Sequence, residues 1–194
     1  MAHDNSAISS TTASAWLKRY YYVRAAFSLI WVALAFTVAR QAPQLAAVML
    51  IVYPAWDAGA NYADAARNGG LLANPSQALN LVVSALTTLA AVVVLNHGMN
   101  AVLAVYGAWA IVAGVLQLVT GVRRWTSGGQ WPMILSGAQS ALAGAFFIHA
   151  ASGDKLPSIT DIAPYAAFGA FYFLVAAVWL TVKDLRRRTI HVRA

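Results

Sequence analysis

The chain has 194 residues, 60% of them hydrophobic and only 10% charged, with a formal net charge of +7. Soluble domains carry about 25% charged residues, so a water-soluble globule is excluded. At roughly 20 apolar residues per membrane crossing, the length holds six crossings with short loops and leaves no room for a separate soluble domain.

In chain order, residues 1–19 are polar and rich in Ser, Thr and Ala, and are expected to form a disordered tail. The basic pair Lys18 and Arg19 precedes the first apolar run, 20–39. That run is longer than the roughly 7–15 apolar residues of a cleaved signal, so it is expected to be a retained span. Five further runs follow, at 45–66, 77–95, 101–122, 131–150 and 165–182. The breaks between them are short and carry turn residues: Pro43, Gly69 with Gly70 and Pro75, Gly98, Gly128 with Gly129, then Pro157 and Pro164. Residues 184–194 form a basic tail. The expected fold is an all-α integral membrane domain over 20–183, with six transmembrane helices arranged as three tandem hairpins.

The positive charge does not point to nucleic acid, because the basic residues sit at the ends of apolar runs. With the N-terminus inside, the cytoplasmic side holds Lys18, Arg19, Arg24, Arg67, Arg123, Arg124, Lys183, Arg186, Arg187, Arg188 and Arg193. The outer side holds only Arg40 and Lys155. This positive-inside bias predicts a multi-pass protein of the bacterial inner membrane with both termini cytoplasmic. Arg123, Arg124, Arg186, Arg187 and Arg188 are expected to meet anionic lipid headgroups. Trp16, Trp125, Trp131 and Trp179 fall near the same interface.

Ser28, Ser84 and Ser140 recur every 56 residues in the odd-numbered spans, and Tyr53, Tyr106 and Tyr165 mark the even ones. A two-helix unit keeps its orientation from copy to copy, so the repeats are expected to be parallel, with their axis along the membrane normal. Gly107, Gly114 and Gly121 are seven apart, Ser136, Ser140 and Gly144 four apart, and Ala55, Gly59 and Ala63 likewise. Small residues at such spacings let helices approach closely in lipid. Internal packing is the main expectation for these faces, and a homo-oligomer interface the alternative.

The stretch from Gly107 through Gly114, Gln117, Arg123 and Arg124, followed by Trp131-Pro-Met-Ile-Leu-Ser-Gly137 and Ala141-Leu-Ala-Gly144, resembles the HdeD-like family of small bacterial membrane proteins. The clear resemblance covers residues 103–147. It implies six spans built from glycine-rich hairpins and a role in acid stress. It supplies no catalytic residues. Span 2 departs from the family pattern, with Asp57, Asn61 and Asp64 at mostly apolar positions.

Tyr53, Asp57, Asn61 and Asp64 share one helical face by their 4-4-3 spacing. A carboxylate within a span costs at least about 2.5–3.5 kcal/mol, so such groups face the bundle interior and find partners. Arg24 is the first expected partner of Asp57, with Asn80, Gln117 and Gln139 next, together forming a polar pocket open to the cytoplasm. Pro54 cannot donate to the Leu50 carbonyl and is expected to kink the helix. Three uses of this face are open: a determinant of helix packing, a proton or solute pathway through Asp57 with Arg24 as counter-ion, and small-ligand binding.

The chain has no cysteine and no glutamate, which removes disulfides, thiolate metal sites and cysteine nucleophiles. Ser28, Ser84 and Ser140 have no neighbouring His base. No phosphate loop, HExxH run or other metal pattern occurs. No enzyme activity, metal or cofactor is therefore expected. His97 and His149 are placed at outer span ends, solvated or sensing acid, and Tyr62 and Tyr172 are expected to pack.

Overall fold

The computed structural model describes the backbone of residues 2–123, 125 and 131–193, and the side chains of 15–123, 125 and 131–186. Six α-helices follow one another: α1 Ala2–Thr37, α2 Pro43–Arg67, α3 Pro75–Val94, α4 Met99–Arg123, α5 Trp131–Ala151 and α6 Ile159–Arg193. Short 3₁₀ turns at Ala39–Gln41 and Leu95–His97 lead into α2 and α4. No strand occurs among the described residues.

The helix limits follow from local chemistry. Pro43 and Pro75 open α2 and α3 at the first helical position, where the missing N–H is an orphan in any case. Gly69 and Gly70 end α2 with φ of 92° and 89°, a conformation that favours glycine. Asp161 accepts hydrogen bonds from the Ser158 backbone N–H at 2.7 Å and from its hydroxyl at 3.0 Å, a carboxylate closing the first turn of α6.

Two sequence expectations change here. The backbone of residues 2–19, expected as a disordered tail, continues α1 as helix, and the basic segment beyond 183 continues α6 to Arg193. The Lys/Arg-rich segment after the last span favours helix, whereas the Ser/Thr-rich segment before the first has no strong helix preference of its own. Pro164, read as loop, lies inside α6, in its second turn, where it forfeits the helical hydrogen bond to the Thr160 carbonyl.

Among the described residues, five helical segments are long and apolar enough to cross a membrane: Ala15–Gln41, Pro75–His97, Met99–Arg123, Trp131–Ala151 and Ile159–Arg186. The chain has the character of a multi-pass membrane protein. At 25 residues, or about 37 Å, α2 is also long enough to cross. It falls outside that set because Gln44, Asp57, Asn61 and Asp64 dilute its apolar content. Lipid-facing positions are apolar throughout, with Leu86, Leu142, Phe146 and Trp179 all more than 60% exposed.

The chain divides into two compact units. In one, α1 up to Ile30 pairs with α6 from Ala166 onward. Lys18 forms an ion pair with Asp184, Tyr22 meets Thr181 at 3.1 Å, and the Tyr21 and Phe173 rings stack at 6.2 Å. Lys18 meets Asp184, Tyr22 meets Thr181 and Arg24 meets Phe173, so the two helices run antiparallel. The start of the first apolar span and the end of the last therefore lie at the same end of this unit.

The second unit is Trp31–Tyr165, in which α2 to α5 form antiparallel neighbours. The α4–α5 contact is the closest. A Cβ at Gly114 would lie 2.6 Å from the Gly137 carbonyl oxygen, and one at Gly107 2.8 Å from that of Gly144. The backbones touch at these points, as small residues allow in lipid. Gly59 on α2 has nothing within 4 Å of a built Cβ, so its small-residue face is not part of this packing. Tyr62, expected to pack, is 56% exposed, because it shares the outward face of α2 with Gly59.

Candidate functional site

The polar face of α2 meets α3 within the second unit. Asp57 is half-buried, and its Oδ2 accepts from the Ser84 hydroxyl at 2.7 Å and the Asn61 amide at 3.0 Å. Asn61 also donates to the Asp57 carbonyl at 2.8 Å, which fixes its side chain along the helix. Ser84 is 1% exposed and accepts from the Trp109 indole N–H at 3.1 Å. The chain Trp109 to Ser84 to Asp57 thus links α4, α3 and α2 across the core.

One turn before Asp57 along α2 the core is aromatic. Tyr53 packs against Trp31 at 4.9 Å and Trp109 at 5.9 Å, and Trp109 meets Tyr106 at 5.6 Å and Tyr165 at 6.2 Å. These rings sit edge-on or tilted, the arrangement their quadrupoles favour. Trp31 donates to the Met49 carbonyl at 2.9 Å. The Tyr106 hydroxyl donates to the Leu50 carbonyl at 2.6 Å, the acceptor that Pro54 leaves vacant one turn later.

Two turns further along α2 from Asp57, Asp64 accepts from Gln77 of α3 at 3.0 Å and from Asn68 at 3.0 Å. Asp57, Asn61 and Asp64 therefore lie on one face, as their spacing predicts, and that face is turned to α3. Two residues that the spacing did not nominate join this face. Ser84 and Gln77 reach the two carboxylates. Asn80 donates to the Ser76 carbonyl of its own helix at 2.9 Å. Gln117 and Gln139 are half-buried on α4 and α5. Arg24 donates to the Tyr20 hydroxyl at 2.8 Å and lies over the Phe173 ring at 4.2 Å, a cation–π contact. Small hydroxyls at the depth of an acid are the signal that would have found Ser84. Its 56-residue spacing marked it only as a repeat position.

Ser140 occupies a related place one hairpin later. It donates to the Ala110 carbonyl at 3.0 Å and meets the Tyr165 hydroxyl at 3.0 Å. Ala110 stands four residues after Tyr106, as Asp57 stands four after Tyr53. Each serine thus reaches back to corresponding positions on the preceding helix and forward to an aromatic residue of the next. Ser28 is buried in the other unit.

Among the basic residues expected at lipid headgroups, Arg123 and Arg186 are exposed. Arg124 and the side chains of Arg187 and Arg188 lie outside the described residues. His97 and His149 are exposed at helix ends. No group of three or more metal-binding side chains occurs among the described residues.

Residues 76–149, which run from α3 into the end of α5, match a family described as a short repeat of unknown function (DUF308), a family of membrane proteins that includes HdeD-like members. No curated protein and no solved structure matches the chain. The matched stretch holds Ser84, Trp109 and Ser140 together with the α4–α5 glycines, whereas the carboxylate face of α2 lies before it.

Proposed function

We propose that the chain is a non-enzymatic, HdeD-like protein of the bacterial inner membrane with a role in acid stress or envelope maintenance, and that Asp57 serves helix packing in it. The observation that carries this reading is the engagement of the Asp57 carboxylate by Ser84 and Asn61, with Trp109 bound behind Ser84. A carboxylate so held specifies how three helices meet. A catalytic role would need a nucleophile paired with a base, and the serine nearest to Asp57 already receives an indole N–H.

Six crossings with both ends cytoplasmic fit the antiparallel pairing of α1 and α6. Five crossings would make the first and last spans parallel, so the pairing favours α2 as the sixth despite its polar face. Three tandem hairpins agree with the related contacts of Ser84 and Ser140.

The experiment is an acid challenge. Cells lacking the protein should survive less well than cells restored with the wild type, and Asp57→Asn should restore survival because the amide keeps the hydrogen bonds to its neighbours. Full survival without the protein would remove the acid-stress role. The second reading, a proton or solute pathway, draws on the half-burial of Asp57 beside Pro54 in a helix long enough to cross the membrane. It requires Asp57→Asn to fold and fail.

A further inference from the structure

We propose that the α2–α3 loop is an interfacial anchor, with Leu72 inserted at the boundary between headgroups and acyl chains of an anionic leaflet. This goes beyond the reading above, which gives the loop no role. The loop is Gly69-Gly70-Leu71-Leu72-Ala73-Asn74, and Leu72 at its tip is 101% exposed.

The loop is held in shape. The Gly70 N–H returns to the Ala65 carbonyl at 2.8 Å, a bond that closes the helix end over a glycine of positive φ. The Asn74 side chain donates to the Asn68 carbonyl at 2.7 Å and the Gly70 carbonyl at 2.9 Å, and its backbone N–H donates to Leu71 at 3.1 Å. Asn74 thereby ties both ends of the loop together. A loop fixed this way cannot fold its leucine back, so the side chain is presented outward.

Its depth identifies what it meets. The 20 residues of α3 span about 30 Å at 1.5 Å each, the thickness of the hydrocarbon core. Pro75 then sits at the core boundary. Leu72, three residues earlier, lies in the interfacial layer, which is about 5–7 Å thick on each side. Ser76 meets Thr120 at 3.4 Å, so this end of α3 adjoins the end of α4, where Arg123, Trp125 and Trp131 are exposed. Arg67 is exposed at the end of α2. Exposed arginine and tryptophan at span ends are the side chains that favour the headgroup layer and its anionic lipids. One fully exposed leucine, with Leu71 beside it half-buried, is too little for a protein hot spot, whereas it suits insertion among lipids.

The chain has no cysteine, which permits single nitroxide labels at Leu72→Cys, Leu86→Cys and Ser152→Cys. The protein is reconstituted in vesicles of equal parts phosphatidylcholine and phosphatidylglycerol. Collision with oxygen is compared with collision with a water-soluble nickel chelate. The oxygen-to-nickel ratio at Leu72→Cys is expected to be several-fold above that at Ser152→Cys and below that at Leu86→Cys. A ratio at Leu72→Cys equal to that at Ser152→Cys, with Leu86→Cys reading as hydrocarbon, would overturn the anchor and leave the membrane fold intact. Shielding of Leu72→Cys from both reagents would mean that protein covers it and would equally overturn the anchor. A water-like ratio at Leu86→Cys would remove the membrane reading and the anchor together.

Discussion

The hydroxyl of Tyr106 donates to the carbonyl of Leu50 at 2.6 Å, filling the acceptor site that Pro54 cannot serve. Both residues are fully buried, and a buried carbonyl left without a donor costs about 1–3 kcal/mol. A proline in the interior of α2 is thereby tolerated through a side chain of α4, and the two helices are tied where α2 is weakest.

Tyr106→Phe is therefore expected to destabilise the protein by about 1–3 kcal/mol in detergent-mediated unfolding. In a Pro54→Ala background the new N–H of residue 54 can serve Leu50, and the same change should cost much less. Equal losses in the two backgrounds would show that the hydroxyl does not compensate for the proline.

At the α4–α5 contact, Gly114→Ala places a methyl 2.6 Å from the Gly137 carbonyl oxygen. Backbone on both sides cannot yield, so a loss of about 1–3 kcal/mol is expected from overpacking. Gly59→Ala meets nothing within 4 Å and should be neutral or stabilising by up to about 1 kcal/mol, the helix preference of alanine over glycine. Unfolding midpoints of the two variants check this. A destabilised Gly59→Ala would point to an oligomer contact on the outer face of α2.

Asp57→Leu removes the acceptor of Ser84 and Asn61 and should cost about 1–3 kcal/mol. Asp57→Asn should stay within about 1 kcal/mol of wild type, since an amide oxygen can still accept from Ser84. Ser84→Ala should resemble Asp57→Leu, and the double change should cost less than the sum, because the two groups serve each other. Additive losses would place the role of Asp57 elsewhere.

For topology, reporters fused after Ala194 and within 152–158 are expected to read cytoplasmic and external, respectively. The Lys18–Asp184 pair requires the first and last spans to share an end. A cytoplasmic loop at 152–158 would contradict the orientation, and opposite reports for the two termini would contradict α2 as a crossing.

Much of this architecture is legible in the residues. Turn prolines and glycines bound the apolar runs, so α2 to α5 begin and end within about two residues of the sequence limits. The limits of α1 and α6 are not legible, because hydropathy marks where a helix leaves the membrane and not where its hydrogen bonding stops. The 4-4-3 spacing correctly gathers Asp57, Asn61 and Asp64 on one face. Ser84 is missed for a physical reason. Charge and amide chemistry nominate Arg24, Asn80, Gln117 and Gln139, whereas a short hydroxyl on the facing helix reaches Asp57 with less side chain to order. Tyr106 as the donor to Leu50 is likewise invisible in one dimension, because it depends on which side chain of α4 lies opposite the proline turn.

The most direct test of the account is proton flux into vesicles holding purified wild-type protein, followed with a trapped pH dye under an imposed gradient. With Asp57 engaged in helix packing, wild type and Asp57→Asn should both acidify the lumen at the rate of protein-free vesicles. A wild-type flux that rises with acidity and is lost in a folded Asp57→Asn protein would contradict the packing role and make Asp57 a proton carrier.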